Sequence, residues 1–372
     1  MNFIGLSMSR RIRRTPFTDK VELCGVSDFT VVNHMLMPKS FQSTIEEDYW
    51  HLSKHVQIWD VSCQRQVEIS GKDAEKLIQF MTPRIITDMS IGQCLYIPLI
   101  DENAGMINDP VLLKIKNNKF WLSVADSDVI LWTKGLATSL NLNLRIQEPN
   151  VYPLAIQGPK SEELMRLVFG ERIKSIKYFH FDTFNFEGVD QIIARSGYSK
   201  QDGFEIYFSG FERGKKLWDH LWSVGNKLNI KPGCPNLIDR IEAGLLSYGN
   251  EFTIKNNPYE CNFEKYFKQE FEHDFIGKKA LNKIKKEGAN NKIMGIIFEG
   301  NKCPPCSIPF PVYSKDGKKI GQITSAIFSP KFNKNIGLCM ILKDYWNVGD
   351  EVIVETSDSL ETKGNLASLP LI

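Results

Sequence analysis

The stretch "RSGYSKQDGFEIYF", residues 195–208, constrains the fold more than any other part of the chain. After Gly197 and Gly203 the residues alternate strictly, with Phe204, Ile206 and Phe208 on one side and Glu205 and Tyr207 on the other. Successive side chains of a strand point to opposite faces, so this is the period of a half-buried β-strand. Its apolar side must enter a core. Its other side presents a carboxylate and a phenol together, and these face either water or a ligand.

Around this strand, helix and strand patterns alternate without an evident repeat. "QRQVEIS" alternates like a strand, and "GKDAEKLIQFMTPR" reads as a helix with Asp73 near its start and Pro83 closing it. "CLYIPLIDENAGMINDPVLLKI" has the form strand, turn, strand about "DENAG", and "KFWLSVA" supplies a third strand. "LAIQGPKSEELMRLVFG" repeats a strand–GP–helix plan. "FERGKKLWDHLWSVGNKL" is an amphipathic helix with Leu217, Leu221 and Trp222 on its inner face. "LIDRIEAGLLSYG" is expected to be helical as far as Gly249. A lysine-rich helix in residues 275–292 then leads into short β-like segments. The expected class is α+β, with residues 1–285 forming two interleaved α+β subdomains and residues 286–372 a small C-terminal β-barrel or sandwich.

Composition narrows the function classes. A net charge of +2 over 372 residues argues against nucleic acid as the main partner, and the basic cluster "SRRIRR" reads as a solvated arm. No apolar run approaches the roughly 18 residues of a membrane span, and no signal peptide is evident, so the expected location is the cytoplasm. Scattered cysteines fit buried thiols in a reducing compartment. Cys303 and Cys306 have CxxC spacing, but prolines fill the gap and no second ligand pair appears, so they read as ordinary thiols. His51 and His55 share a helical face but lack the glutamate of a metalloprotease motif, and no metal is expected. There is no GxGxxG after a strand, no Walker loop and no GxSxG elbow, so the chemistry does not obviously run through an activated nucleophile. In "DENAGMINDPV", Asp109 follows a small-residue turn, and Pro110 pushes it toward an extended conformation. Spacing alone leaves two readings of Asp109 open: an acid bonding its own turn backbone, or a functional carboxylate.

Several of these segments together resemble one family. "WDVSCQRQVEISGKDAEKL", "AGMINDPVLL", "LAIQGPKSEELM", "RSGYSKQDGFEIYF", "DRIEAGLLSYGNEF", "DFIGKKAL" and "GQITSAIFSP" are collinear with motifs of the folate-dependent aminomethyltransferases typified by the glycine-cleavage T-protein. The resemblance spans about residues 25–345. "SRRIRRTPF", "VVNHMLMPKSF", "VQIWDV", "WLSVADSDV", "NPYEC" and "PPC" are similar to the sulfonium-demethylating branch of that family.

The resemblance implies a T-protein-like folate-binding fold ending in a β-barrel. It also implies transfer of an S-methyl group from dimethylsulfoniopropionate to N5 of tetrahydrofolate, the acceptor. Asp109 is thereby implied near N5, Glu205 at the aminopyrimidine edge, Tyr207 and Tyr96 against the pterin, and Tyr198 at the methyl donor. An arginine of the T-protein aligns with Asn236 and another near Ser307, and their loss argues against service to a lipoyl carrier protein. The branch commonly carries tryptophan where this chain has Tyr198. Alternatives within the resemblance are an aminomethyltransferase, an N-methyl demethylase acting on glycine betaine, dimethylglycine or sarcosine, and a non-catalytic folate-binding regulator. Self-association as a homodimer is left open.

Overall fold

The computed structural model describes residues 9–268, 270–306, 308–357 and 360–371; Ser307 lies outside the described residues. The chain forms two compact units from discontinuous segments. One comprises Met1–Gln66, Pro149–Gly197 and Gln201–Pro235, and the other Val67–Glu148, Tyr198–Lys200 and Asn236–Ile372. The fold is α+β. Among the described residues no helix is long and apolar enough to cross a membrane.

The first unit is built on a six-stranded sheet in the order Phe181–Phe186, Val189–Ala194, Gly203–Ser209, Val151–Gln157, Val56–Asp60, Ile230–Gly233. Its last pair is parallel and the others antiparallel. The strand singled out in the sequence, Gly203–Ser209, is interior to this sheet. Phe204, Ile206 and Phe208 are fully buried in one core with Leu154, Ile156 and Ile193. Helix Gly214–Gly225 contributes Leu217, Trp218 and Leu221 to the same core. Trp218 is the deeply buried tryptophan, and Trp222, expected on the inner face, is only partly buried and stacks on it at 6.3 Å. The strand also departs from the half-buried expectation, because Glu205 and Tyr207 are buried as well. Alternation reports two chemically different faces; it does not report whether the polar one is covered.

The close approach of the neighbouring strand explains both glycines of the opening stretch. The fully buried side chain of Gln157 lies over them, and a Cβ on Gly197 or Gly203 would come within 2.2 Å or 2.1 Å of its amide. Gln157 Nε2 donates to the Ser196 carbonyl at 3.2 Å.

The second unit contains a five-stranded sheet in the order Arg145–Gln147, Gln66–Ser70, Lys119–Ser123, Val111–Lys116, Cys94–Tyr96. Helix Ala74–Met81 packs Leu77, Ile78 and Met81 into a core shared with Ile69, Leu112, Phe120 and Leu122. A short hairpin, Leu99–Ile100 with Met106–Asn108, encloses the "DENAG" turn. Asp101 closes that turn by accepting from the Asn103 and Gly105 amides at 2.9 and 2.7 Å.

Helix Leu237–Ala243 is capped by Asn236, whose side chain accepts from the Ile238 and Asp239 amides. It ends at Gly244, before the expected Gly249, because Gly244 adopts the left-handed conformation (φ +67°) that terminates helices. The apolar run beyond it continues the helical pattern but not the helix.

From Asn291 onward the chain forms a closed six-stranded barrel in the order Asn291–Phe298, Lys334–Leu342, Lys319–Ser329, Phe310–Tyr313, Glu351–Glu355, Glu361–Ala367. Ile296, Phe298, Val312, Ile323, Ile341 and Val354 fill it. Closure resolves the choice between barrel and sandwich and leaves this sheet no free edge.

Candidate active site

Asp109 occupies the break between the hairpin strand Met106–Asn108 and the strand Val111–Lys116. Strand Cys94–Tyr96 pairs antiparallel with the latter, setting Tyr96 opposite Val111. That register carries the Tyr96 hydroxyl to Asp109, where it donates to Oδ2. The other carboxylate oxygen, Oδ1, is buried and has no hydrogen-bond partner among the described residues. Burial pushes Asp109 up to about 7; the Tyr96 hydrogen bond works against that rise and the charge of Glu251 adds to it. Tyr96 is in turn held well above the ordinary phenol range by burial and by the Asp109 charge. The acid therefore does more than bond its own turn: a tyrosine fixes one oxygen, and the other is buried without a hydrogen-bond partner among the described residues.

Aromatic side chains surround this pair. Tyr96 meets Phe263 and Tyr266 edge to face, with ring centroids 5.5 and 5.1 Å apart, and Phe263 packs on Phe252 at 5.6 Å. The segment before them places the buried Cys261 thiol near Asp109, and burial with the charges of Glu260 and Asp109 holds that thiol in its protonated form.

Tyr198 belongs to the same unit as Asp109 and Tyr96, close enough for the Asp109 charge to raise its pKa after the larger effect of burial. Its hydroxyl donates to the Leu246 carbonyl at 2.7 Å and lies beside the Arg240 guanidinium. Arg240 is itself fixed by Glu251 at 3.0 Å, Ser325 at 2.6 Å and the Leu245 carbonyl at 3.1 Å. A short polar chain thus runs from the Tyr198 loop to the barrel strand that carries Ser325.

Glu205 belongs to the other unit. In register it lies between Ala155 and Ala194, and its side chain is buried. Ser196 Oγ donates to it at 2.5 Å, and the Tyr207 hydroxyl also supports its charged form. Burial nevertheless raises its pKa, which favours pairing with a positively polarised N–H edge.

Of the other sequence candidates, His51 and the two cysteines have structural partners, while His55 Nδ1 is buried without a hydrogen-bond partner among the described residues. One His51 ring nitrogen meets the Asn229 carbonyl at 2.8 Å and the other lies 3.4 Å from the Gln57 amide. Cys303 and Cys306 are free thiols on a loop tied to strand Lys319–Ser329 through the Phe328 and Cys306 amides. The sequence reading missed Phe263, Tyr266 and Arg84, which reach the Asp109 region only through tertiary packing.

This combination of folds is recognisable by comparison. The GCVT N-terminal domain model matches residues 22–270, and the glycine cleavage T-protein C-terminal barrel domain model matches residues 292–371. The chain belongs to the glycine-cleavage T-protein family. Within it, the chain is 45% identical to a dimethylsulfoniopropionate demethylase of Ruegeria pomeroyi, with 95% of each chain covered. It is 32% identical to an aminomethyltransferase of Caldanaerobacter subterraneus, over 86% of this chain and 85% of that one. Its fold matches the aminomethyltransferase of the Bartonella henselae glycine cleavage system with a TM-score of 0.87 at 21% identity, covering 97% and 98% of the two chains.

Proposed function

We propose that the protein is a tetrahydrofolate-dependent demethylase that moves one S-methyl group from dimethylsulfoniopropionate to N5 of tetrahydrofolate, leaving methylmercaptopropionate and 5-methyltetrahydrofolate. The near-full-length similarity to a dimethylsulfoniopropionate demethylase supports the donor. The observation that carries the chemistry is Asp109, a buried carboxylate held by Tyr96 through one oxygen and unpaired at the other among the described residues.

A sulfonium methyl is already activated, since its thioether leaves as a neutral molecule. The protein needs no nucleophile of its own; its task is alignment and exclusion of water. The S–CH3 bond breaks as the N–CH3 bond forms, and the N5 proton must leave. Asp109, with a pKa near neutrality, orients N5 and takes that proton in its ionised form. Glu205 accepts the N–H donors of the aminopyrimidine edge, Tyr207 and Tyr96 line the pterin, and Tyr198 faces the donor. Residues 1–285 act as the folate-binding region and residues 286–372 as the barrel domain. The protein works in the cytoplasm on a small molecule and without a lipoyl carrier protein.

The test is to incubate the protein with tetrahydrofolate and a panel of sulfonium and ammonium betaines, then identify the folate product by mass. The expected product is 5-methyltetrahydrofolate from the sulfonium donor. A 5,10-methylene product, or turnover of ammonium betaines alone, overturns the reading.

A further inference from the structure

One cation near Asp109 lacks an anion. Arg84 follows helix Ala74–Met81, just past Pro83, and its half-buried guanidinium has no carboxylate partner among the described residues. One of its N–H groups donates to the Tyr96 carbonyl at 2.6 Å, and the guanidinium lies over the Tyr266 ring at 5.4 Å. A guanidinium carries five donors, so most of its capacity is unclaimed. Burial lowers its pKa, as expected for a cation removed from water without a counter-charge. Arg240 shows the contrast: it is buried in the same unit but paired with Glu251.

Arg84 is also held in place. The Gln79 side chain donates to the Arg84 carbonyl at 2.9 Å and accepts from the Ile86 amide at 2.9 Å, and the Arg84 amide donates to Thr82 Oγ1 at 3.2 Å. A fixed, partly desolvated guanidinium is a preorganised receptor for a carboxylate. Its location favours one carboxylate over another. It bonds the backbone of Tyr96, the residue whose hydroxyl holds Asp109, so a single tyrosine separates it from the proposed reacting centre. The donor's carboxylate stands two methylenes from its sulfur, whereas the glutamate carboxylates of the folate lie beyond its aminobenzoyl ring.

We infer that Arg84 anchors the carboxylate of the methyl donor and so selects zwitterionic sulfonium acids over sulfonium cations lacking an acid group. This rests on the demethylase reading above. The test measures 5-methyltetrahydrofolate formation by the full-length wild type, Arg84→Gln and Arg84→Lys, using dimethylsulfoniopropionate and its neutral carboxamide. Thermal melting of each variant confirms folding. Loss of a charge-assisted hydrogen bond predicts that Arg84→Gln lowers the acid-to-amide ratio of kcat/KM by about 10- to 100-fold. The change should come through the donor KM with the tetrahydrofolate KM unaltered, and Arg84→Lys should recover part of it. An unchanged acid-to-amide ratio, or a rise in the tetrahydrofolate KM alone, overturns the role of Arg84 while leaving the demethylase reading intact. A wild type that transfers no methyl group from the acid overturns both.

Discussion

Glu205 and Asp109 are both buried carboxylates, one in each unit, and they are held in different ways. Glu205 projects from the middle of a strand paired on both sides, with Ser196 and Tyr207 supporting its charge. Asp109 sits in a break between strands, with one hydroxyl donor and one unpaired oxygen. Burial raises both pKa values, and for Asp109 it brings the value to about 7. A carboxylate anchored in a sheet suits a fixed hydrogen-bonding pattern. One poised near neutrality with an unpaired oxygen suits a moving proton. On the proposed reading, the same side-chain chemistry serves recognition in one place and proton handling in the other.

This contrast can be broken most directly at Asp109. Asp109→Ala should lower kcat by about 10²- to 10⁴-fold, the usual range for losing a positioned acid–base group, while calorimetry still detects tetrahydrofolate binding. A loss of binding with kcat preserved at saturation would reverse the two roles. Glu205→Ala should instead weaken tetrahydrofolate by about 1.5–3 kcal/mol, or roughly 10- to 150-fold; equal calorimetric affinities for variant and wild type would remove Glu205 from the folate contact.

A pH profile sharpens the comparison. If ionised Asp109 is the working form, kcat/KM should rise with pH through about 7. The Tyr96 hydrogen bond favours the ionised form, so Tyr96→Phe should move that limb to higher pH and cost several-fold in rate at neutrality. A limb that stays in place would detach Tyr96 from the titration. The smallest effect is expected at Tyr198, whose hydroxyl is already committed to the Leu246 carbonyl. Tyr198→Trp presents a more electron-rich face to a sulfonium but loses that bond, so donor kcat/KM should change by only about two- to five-fold, a shift of about 1 kcal/mol or less. Identical values across several sulfonium donors would exclude Tyr198 from donor choice.

What the sequence discloses and what it withholds follow from the range of the interactions. The strand Gly203–Ser209, the "DENAG" turn and the β-rich C-terminal segment are local patterns, and each is legible from residue order. Burial of Glu205 depends on what covers a face, which alternation does not encode. Tyr96 reaches Asp109 through the pairing of two strands, and that register is invisible in either strand alone. The end of helix Leu237–Ala243 is ambiguous because both Gly244 and Gly249 are glycines, and apolar residues between them continue the pattern. Arg84 carries no signal at all: an arginine after a proline reads as the exit of a helix, and only tertiary structure reveals that its charge meets no carboxylate among the described residues.

The Gln157 side chain bears on how such sequences should be compared. It fills the space that Gly197 and Gly203 leave by lacking a Cβ. "LAIQGP" and "SGYSKQDG" therefore describe two halves of one steric fit, although some 40 residues separate the halves. Matches to both motifs in a distant sequence amount to a single correlated observation, and counting them twice overstates kinship. The fit also implies linked substitution: a lineage that gains a side chain at position 197 or 203 must first, or simultaneously, shorten position 157.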